Sequence, residues 1–157
     1  MSLEPLGPGD VIRPWLEEAA SFAESNLRAL TPARIAVLDR EFALRAAKFP
    51  ELIANLLDRA LARSRYLAIY AAIDGLVGVK KRLVALMWTF AERWGVLQDG
   101  AIFLPVGFHH SALAYLVAAR RPSVSTALGE LQREGTLERT EGGWILRGDP
   151  PPPVRPR

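Results

Sequence analysis

The 157-residue sequence predicts a mainly α fold with small β elements, an α+β arrangement. Three observations lead there. Apolar residues take up helical spacing from Asp39 onward. The stretch 50–74 holds that spacing for nearly seven turns. Residues 111–146 read as two short helices followed by a hairpin.

Residues 1–38 read as strands and turns. LGPGD is a turn cluster, and Val11-Ile12-Arg13-Pro14-Trp15 is a β-like run stopped by proline. Leu27–Leu30 and Ile35–Leu38 are two more apolar runs, separated by Thr31-Pro32-Ala33-Arg34. Three short strands cannot bury both faces of a sheet, so this segment is expected to pack on a partner or to end a larger β-domain. Asp39 can accept hydrogen bonds from free backbone N–H groups as an N-cap, opening a short helix that stops before Pro50.

Pro50 suits a first helical turn and opens the long helix. Its Leu52, Leu56, Ala60, Leu67 and Ala71 sit at coiled-coil-like spacing, with Ile53, Leu57 and Leu61 beside them. A surface this wide can serve two partners: the β segment on one side and a second chain on the other. Gly75 and Gly78 bracket a break read as a hinge. Helix Val79 to Trp94 buries Leu83, Leu86, Met87 and Phe90, with Gly95 expected as a left-handed stop. Ala101–Leu104 reads as a strand before Pro105. The tail after Gly148, DPPPPVRPR, is expected to be extended, polyproline-like and disordered. The expected division is therefore 1–49 partial β-domain and short helix, 50–75 dimerisation helix, 76–147 C-terminal domain and 148–157 tail.

Composition narrows the function classes. Cysteine is absent, which excludes disulfides and thiolate metal sites. No run approaches the ~20 apolar residues of a membrane span. The N-terminus MSLEPLGPGD lacks the layout of a signal peptide, so a cytoplasmic protein is expected. Residues 1–75 carry nine Lys/Arg against ten Asp/Glu, whereas residues 76–157 carry eleven against seven. A basic C-terminal half fits a polyanionic partner. No cluster resembles an acid/base pair, nucleophile triad or phosphate loop, so an enzyme is not expected. His109-His110 cannot easily chelate one metal, being adjacent on a helix start, and His109 is expected to cap that helix. Trp88, Trp94 and Trp144 read as core.

The partner follows from LVAARRPSVSTALGELQREG, residues 116–135. Leu113, Leu116 and Val117 make one apolar face, a turn Ala118-Ala119-Arg120 follows, and a helix spans about 121–134. Val124, Ala127, Leu128 and Leu131 form its inward stripe. Rotation by about 100° per residue puts Pro122, Thr126, Gly129 and Arg133 on the opposite side, flanked by Ser123 and Ser125. Small polar groups keep that face thin, as a helix pressed into a groove requires. Arg120 and Arg121 add charge where free N–H groups already attract phosphate, and arginine's fork can also grip guanine. Gly135 closes the helix, Leu137–Thr140 reads as a strand, Glu141-Gly142-Gly143 as a turn and Trp144–Leu146 as the return. Helix, turn, helix and hairpin make a winged helix-turn-helix, whose second helix enters the major groove of double-stranded DNA. Arg139 is expected to touch backbone phosphate from the wing.

These segments resemble the Crp/Fnr family of bacterial transcription regulators, most closely an actinobacterial subgroup. LVALMWTFAERWG (83–95), FLPVGFHHSALAYLVAARRPSVSTALGELQREGTLER and GGWIL (142–146) carry the likeness, and AxRPSVSTALxxLxxxG is its most specific part. LRALTPARIAVLDREFALRAAKFPEL (27–52) resembles the last strands of that family's sensory β-roll and the start of its dimer helix. The resemblance implies a homodimer on a palindromic operator, with RNA polymerase as a further partner. It implies Arg121 as the base-reading arginine, Ser123 on phosphate, and Ser125 and Thr126 near base edges. The chain starts near the later β-roll strands, so an N-terminally truncated sensor is expected. It is expected to have no cofactor: Gly9-Asp10 stands at the family's Gly-Glu pair and Ala23 near its phosphate-binding arginine, so cyclic AMP is not expected to bind. Ala118 replaces the usual turn glycine. The competing reading is a truncated interaction module that pairs with related regulators without ligand response.

Overall fold

A computed structural model describes residues 4–12 and 27–153. It has two compact units, Pro8–Arg65 on one hand and Met1–Gly7 with Tyr66–Arg157 on the other.

In the first unit, helix α1 spans Arg40–Ala46 and helix α2 begins at Pro50, as the proline predicts. Asp39 caps α1, its carboxylate accepting the Phe42 N–H at 2.8 Å. The Gly9 carbonyl accepts from Arg59 Nη1 on α2 at 3.2 Å. The strands expected at Leu27–Leu30 and Ile35–Leu38 are not formed, and these residues are irregular. Their large apolar side chains are exposed, and no described strand lies beside them to complete a ladder. Alternating apolar residues make a strand only where a neighbour takes up their N–H and C=O groups. The run expected at Val11–Trp15 lies outside the described residues from Arg13 onward.

Helix α2 ends at Asp74, at the predicted glycine. The unit boundary falls earlier than the expected hinge, between Arg65 and Tyr66. Side-chain packing explains this. Ile73 is fully buried, the Tyr70 ring meets Phe90 edge-on with centroids 6.1 Å apart, and Arg93 lies 4.3 Å from the centre of the Tyr66 ring. The last turns of α2 therefore belong to the C-terminal core. Gly78 still makes the break, with φ of 96°.

Helix α3 follows at Val79–Trp94, then strands β1 (Val96–Gln98) and β2 (Ala101–Leu104), helices α4 (His110–Leu116) and α5 (Arg121–Arg133), and strands β3 (Leu137–Thr140) and β4 (Gly143–Leu146). The antiparallel sheet has the order β1-β2-β4-β3, with Leu104 opposite Trp144 at its centre. Leu83, Leu86, Met87 and Phe90 of α3 join Leu113, Leu128, Trp144 and Leu146 in one core. Gly95 is not left-handed: its φ is −71° and ψ 148°. Glycine is needed there for space, since a Cβ would lie 2.4 Å from the Ala91 carbonyl oxygen and 2.6 Å from Ile102 Cγ2. Within the tail, residues 149–153 have no regular secondary structure, and Pro150–Pro153 lie along α3; the rest of the tail lies outside the described residues.

Candidate nucleic-acid interface

The predicted inward stripe of α5 is the buried one: Val124, Ala127, Leu128 and Leu131 all enter the core. Burial of these four fixes the rotation of the helix, because turning it would expose them; truncating one leucine of such a stripe costs about 2–5 kcal/mol. Arg120, Arg121, Pro122, Ser123, Thr126 and Arg133 are consequently exposed, with Ser125 and Gly129 half-exposed.

The approach to α5 is set by its partner helix. Ala118 takes φ of 45°, Ala119 N–H reaches back to the Ala114 carbonyl at 2.9 Å, and the chain turns from α4 into α5. This left-handed closure is the one in which glycine is ordinarily preferred. At the other end Gly135, with φ of 72°, closes α5, and Thr136 N–H bonds the Leu131 carbonyl at 3.0 Å.

At its N-terminus α5 is capped by Arg120, whose side chain makes no capping bond, and proline occupies the first turn. The first intrahelical bond runs from Val124 N–H to the Arg120 carbonyl, so the Arg121 and Ser123 N–H groups point out of the helix end without a backbone acceptor. Among the described residues, Arg120, Arg121 and Arg133 form no ion pair. Two nearby acidic residues are paired elsewhere, Glu134 with Lys80 at 2.5 Å and Glu138 with Arg147 at 2.6 Å. Two full charges beside free N–H groups at a positive helix end make a site for an anion. Thr126 keeps its hydroxyl close to the helix, bonded to the Pro122 carbonyl at 3.1 Å, and Gly129 adds no bulk. The exposed face is thin.

Two of the predicted contact residues also make bonds within the protein. The Arg139 guanidinium donates to the Phe108 carbonyl at 2.9 Å and lies 4.9 Å from the centre of the Trp144 ring. It ties the wing to the segment ahead of α4 while remaining exposed. Ser125 Oγ is hydrogen-bonded to His110 Nδ1 at 2.9 Å, so it braces α5 against α4. His109 occupies the N-cap position of α4, but its side chain makes no capping bond: the ring is exposed, and only a short oxygen-bearing side chain folds back readily onto the first turn. The bracing histidine is its neighbour His110, a role that the pair's spacing does not indicate.

The long helix α2 divides its apolar residues in two. Leu52, Leu56 and Ala60 are half-buried, whereas Ile53, Leu57 and Leu61 are 45%, 58% and 55% exposed. Leu67 and Ala71 are exposed as well. At about 100° per residue, Ile53, Leu57, Leu61, Leu67 and Ala71 fall on one face.

No helix among the described residues is long and apolar enough to cross a membrane. Residues 81–150 match the family of Crp-like helix-turn-helix domains. Among solved structures, the chain is similar to a CooA mutant from Carboxydothermus hydrogenoformans, at 25% identity and a TM-score of 0.56, over 70% of this chain and 50% of that one. It is also similar in fold to OCPA-complexed CprK (15% identity, TM-score 0.54, 69% and 50% covered). FixK2 from Bradyrhizobium japonicum is similar at 14% identity and a TM-score of 0.53, with 66% and 50% covered. The chain thus spans about half the length of the structures it matches. None of the curated proteins compared with it matches.

Proposed function

With residues 81–150 forming a Crp-like helix-turn-helix domain of the Crp/Fnr regulator type, we propose that the chain is a sequence-specific, DNA-binding transcription regulator that acts as a homodimer. The observation that carries this reading is the N-terminal half of α5, where unpaired Arg120 and Arg121 flank a thin, exposed helical face. In this reading α5 lies in the major groove, with Arg121 on a base edge and Thr126 facing the groove. Arg120, Arg133, Ser123 and the free N–H groups hold phosphates. Ser125 acts through its bond to His110, keeping α5 at a fixed height above α4. Arg139, exposed on the wing and anchored by one donor to the Phe108 carbonyl, keeps its remaining donors for a backbone phosphate.

The exposed face Ile53, Leu57, Leu61, Leu67 and Ala71 of α2 supports pairing with a second copy. Two chains joined there present two α5 helices to a palindromic operator, with half-sites about one DNA turn, ~34 Å, apart. Such a regulator works where the chromosome is, in the cytoplasm, and RNA polymerase is the machinery it would affect.

Gel-shift titration against palindromic duplexes tests this. A specific complex is expected, with log affinity falling linearly as log salt rises. Arg121→Ala should cost about 1–3 kcal/mol per half-site, roughly 5- to 150-fold, and relax the choice of base at one position. Unchanged affinity in the folded variant would remove Arg121 from the interface, and the lack of any specific complex would remove DNA as the partner.

A further inference from the structure

The side of α3 opposite Leu83, Leu86 and Phe90 is not a solvated helix face: Ala85 belongs to the core, and Trp88 packs against it. Leu83, Leu86, Met87 and Phe90 point inward, and Ala85, Trp88, Thr89 and Glu92 recur at i, i+3, i+4 and i+7 on the opposite side. A helix that only had to meet water there would show lysine and glutamate. Instead Ala85 and Thr89 are buried and Trp88 is half-buried. Together with Ile102 of β2, these residues floor a cavity of about 460 Å3 whose other wall is Pro150–Pro153. The Thr89 hydroxyl is bonded to the Ala85 carbonyl at 2.8 Å, so it offers no donor to the cavity. Glu92 is the one charged residue in the lining.

A proline run is chemically matched to such a floor. It has no backbone N–H to leave unpaired against apolar side chains. Its φ is already fixed, so little conformational freedom is lost on docking, and its rings suit an aromatic-lined groove. The residues next in sequence include Arg155 and Arg157, opposite in charge to Glu92.

We propose that the Ala85–Trp88–Thr89–Glu92 stripe is a polyproline-docking groove whose resident ligand is the chain's own Pro150–Pro153, held in cis. Only Arg147, Gly148 and Asp149 separate the end of β4 from the run. So short a tether delivers it at an effective concentration on the order of millimolar, and weak intrinsic affinity is enough to keep the groove filled. The inference is independent of DNA binding.

Two measurements test it. In the full native chain, nuclear Overhauser contacts between the Trp88 indole protons and the proline rings are expected; their absence overturns the proposal. In the second, Pro150→Ser, Pro151→Ser, Pro152→Ser and Pro153→Ser are combined in the full-length chain, and the synthetic peptide DPPPPVRPR is added. The vacated groove should bind the peptide with a saturable shift of the Trp88 indole resonance. The native chain should bind it about tenfold more weakly, because its groove is occupied. Adding Trp88→Ala to the serine variant should abolish binding, read in that variant from the backbone amide resonances of α3. A peptide that fails to bind the folded serine variant, or that binds it regardless of Trp88, overturns the assignment. Should the substituted chains fail to fold, the contacts in the native chain decide the matter alone.

Discussion

Gly95→Ala is a severe test of how α3 is joined to the sheet. The backbone there, φ −71° and ψ 148°, is one that alanine adopts without strain, so the entire effect is steric. The added Cβ would lie 2.4 Å from the Ala91 carbonyl oxygen and 2.6 Å from Ile102 Cγ2. Ordinary carbon–carbon contact needs about 3.5–4.0 Å, so roughly an ångström must be found on each side. Ala91 O is also the acceptor of the Gly95 N–H at 2.8 Å, so backing away breaks the bond that caps α3. Ile102 is equally constrained, paired with Leu97 on one side and Leu146 on the other. Overpacking of this kind costs about 1–3 kcal/mol, and the lost capping bond about 1 kcal/mol. The reduced freedom of the unfolded chain returns about 0.4–1 kcal/mol. A net loss of about 2–3 kcal/mol is expected, read as a lower urea midpoint in the fluorescence transition of the C-terminal unit. A variant as stable as the parent, or more so, would show that the junction yields, and would refute the claim that space selects glycine here.

Three further outcomes are expected. Gly129→Ala has nothing within 4 Å of its new methyl group and should raise the stability of the C-terminal unit by about 0.5–1 kcal/mol in thermal melts, while weakening DNA binding by thickening α5; undiminished affinity would take Gly129 out of the interface. Ala118→Gly relieves a left-handed alanine at about 1–2 kcal/mol and adds glycine's backbone freedom at about 0.5–1 kcal/mol; denaturant titration should show a net gain near 0.5 kcal/mol, and a loss would contradict the strain. Partial desolvation raises the carboxyl of Asp74, which is exposed at the end of α2, above the ordinary 3.8, and the Arg82 guanidinium only partly offsets this. A raised carboxyl favours the folded state while protonated, and that contribution is lost as pH rises through its folded value. Asp74→Asn should therefore be slightly more stable than the parent at neutral pH, with the difference vanishing below about pH 3.8, and a constant offset across that range would refute the cause given.

What was legible in the sequence depended on whether the signal was local. Pro50 and Gly75 bracket α2 to the residue, and the spacing of Val124, Ala127, Leu128 and Leu131 predicts the buried side of α5. Strand β1 escaped because Val96–Gln98 is three residues long and exposed throughout. Its signal lay in Asp99-Gly100, which take φ of 49° and 74° in a two-residue hairpin turn, the conformation that Asp-Gly favours. Ile35–Leu38 carries a strand's composition but has no described strand to pair with, and pairing is not a local property. The His110–Ser125 bond and the bond from Arg139 to the Phe108 carbonyl depend on how elements cross, which no spacing rule reports. The unit boundary inside α2 is of the same kind, since glycines mark where a chain can bend and packing decides what belongs together.

The order of strands bears on how the molecule comes off the ribosome. Strand β4 is synthesised last, yet it sits between β2 and β3. While α4 and α5 emerge, Trp144 and Leu146, which share a core with Leu113 and Leu128, are still inside the exit tunnel. A stop codon before Gly143 would thus delete the middle of the sheet rather than its margin, leaving both helices without a floor. Nascent chains of that length should be substrates for chaperones and proteases, and the completed domain should close in a single late step.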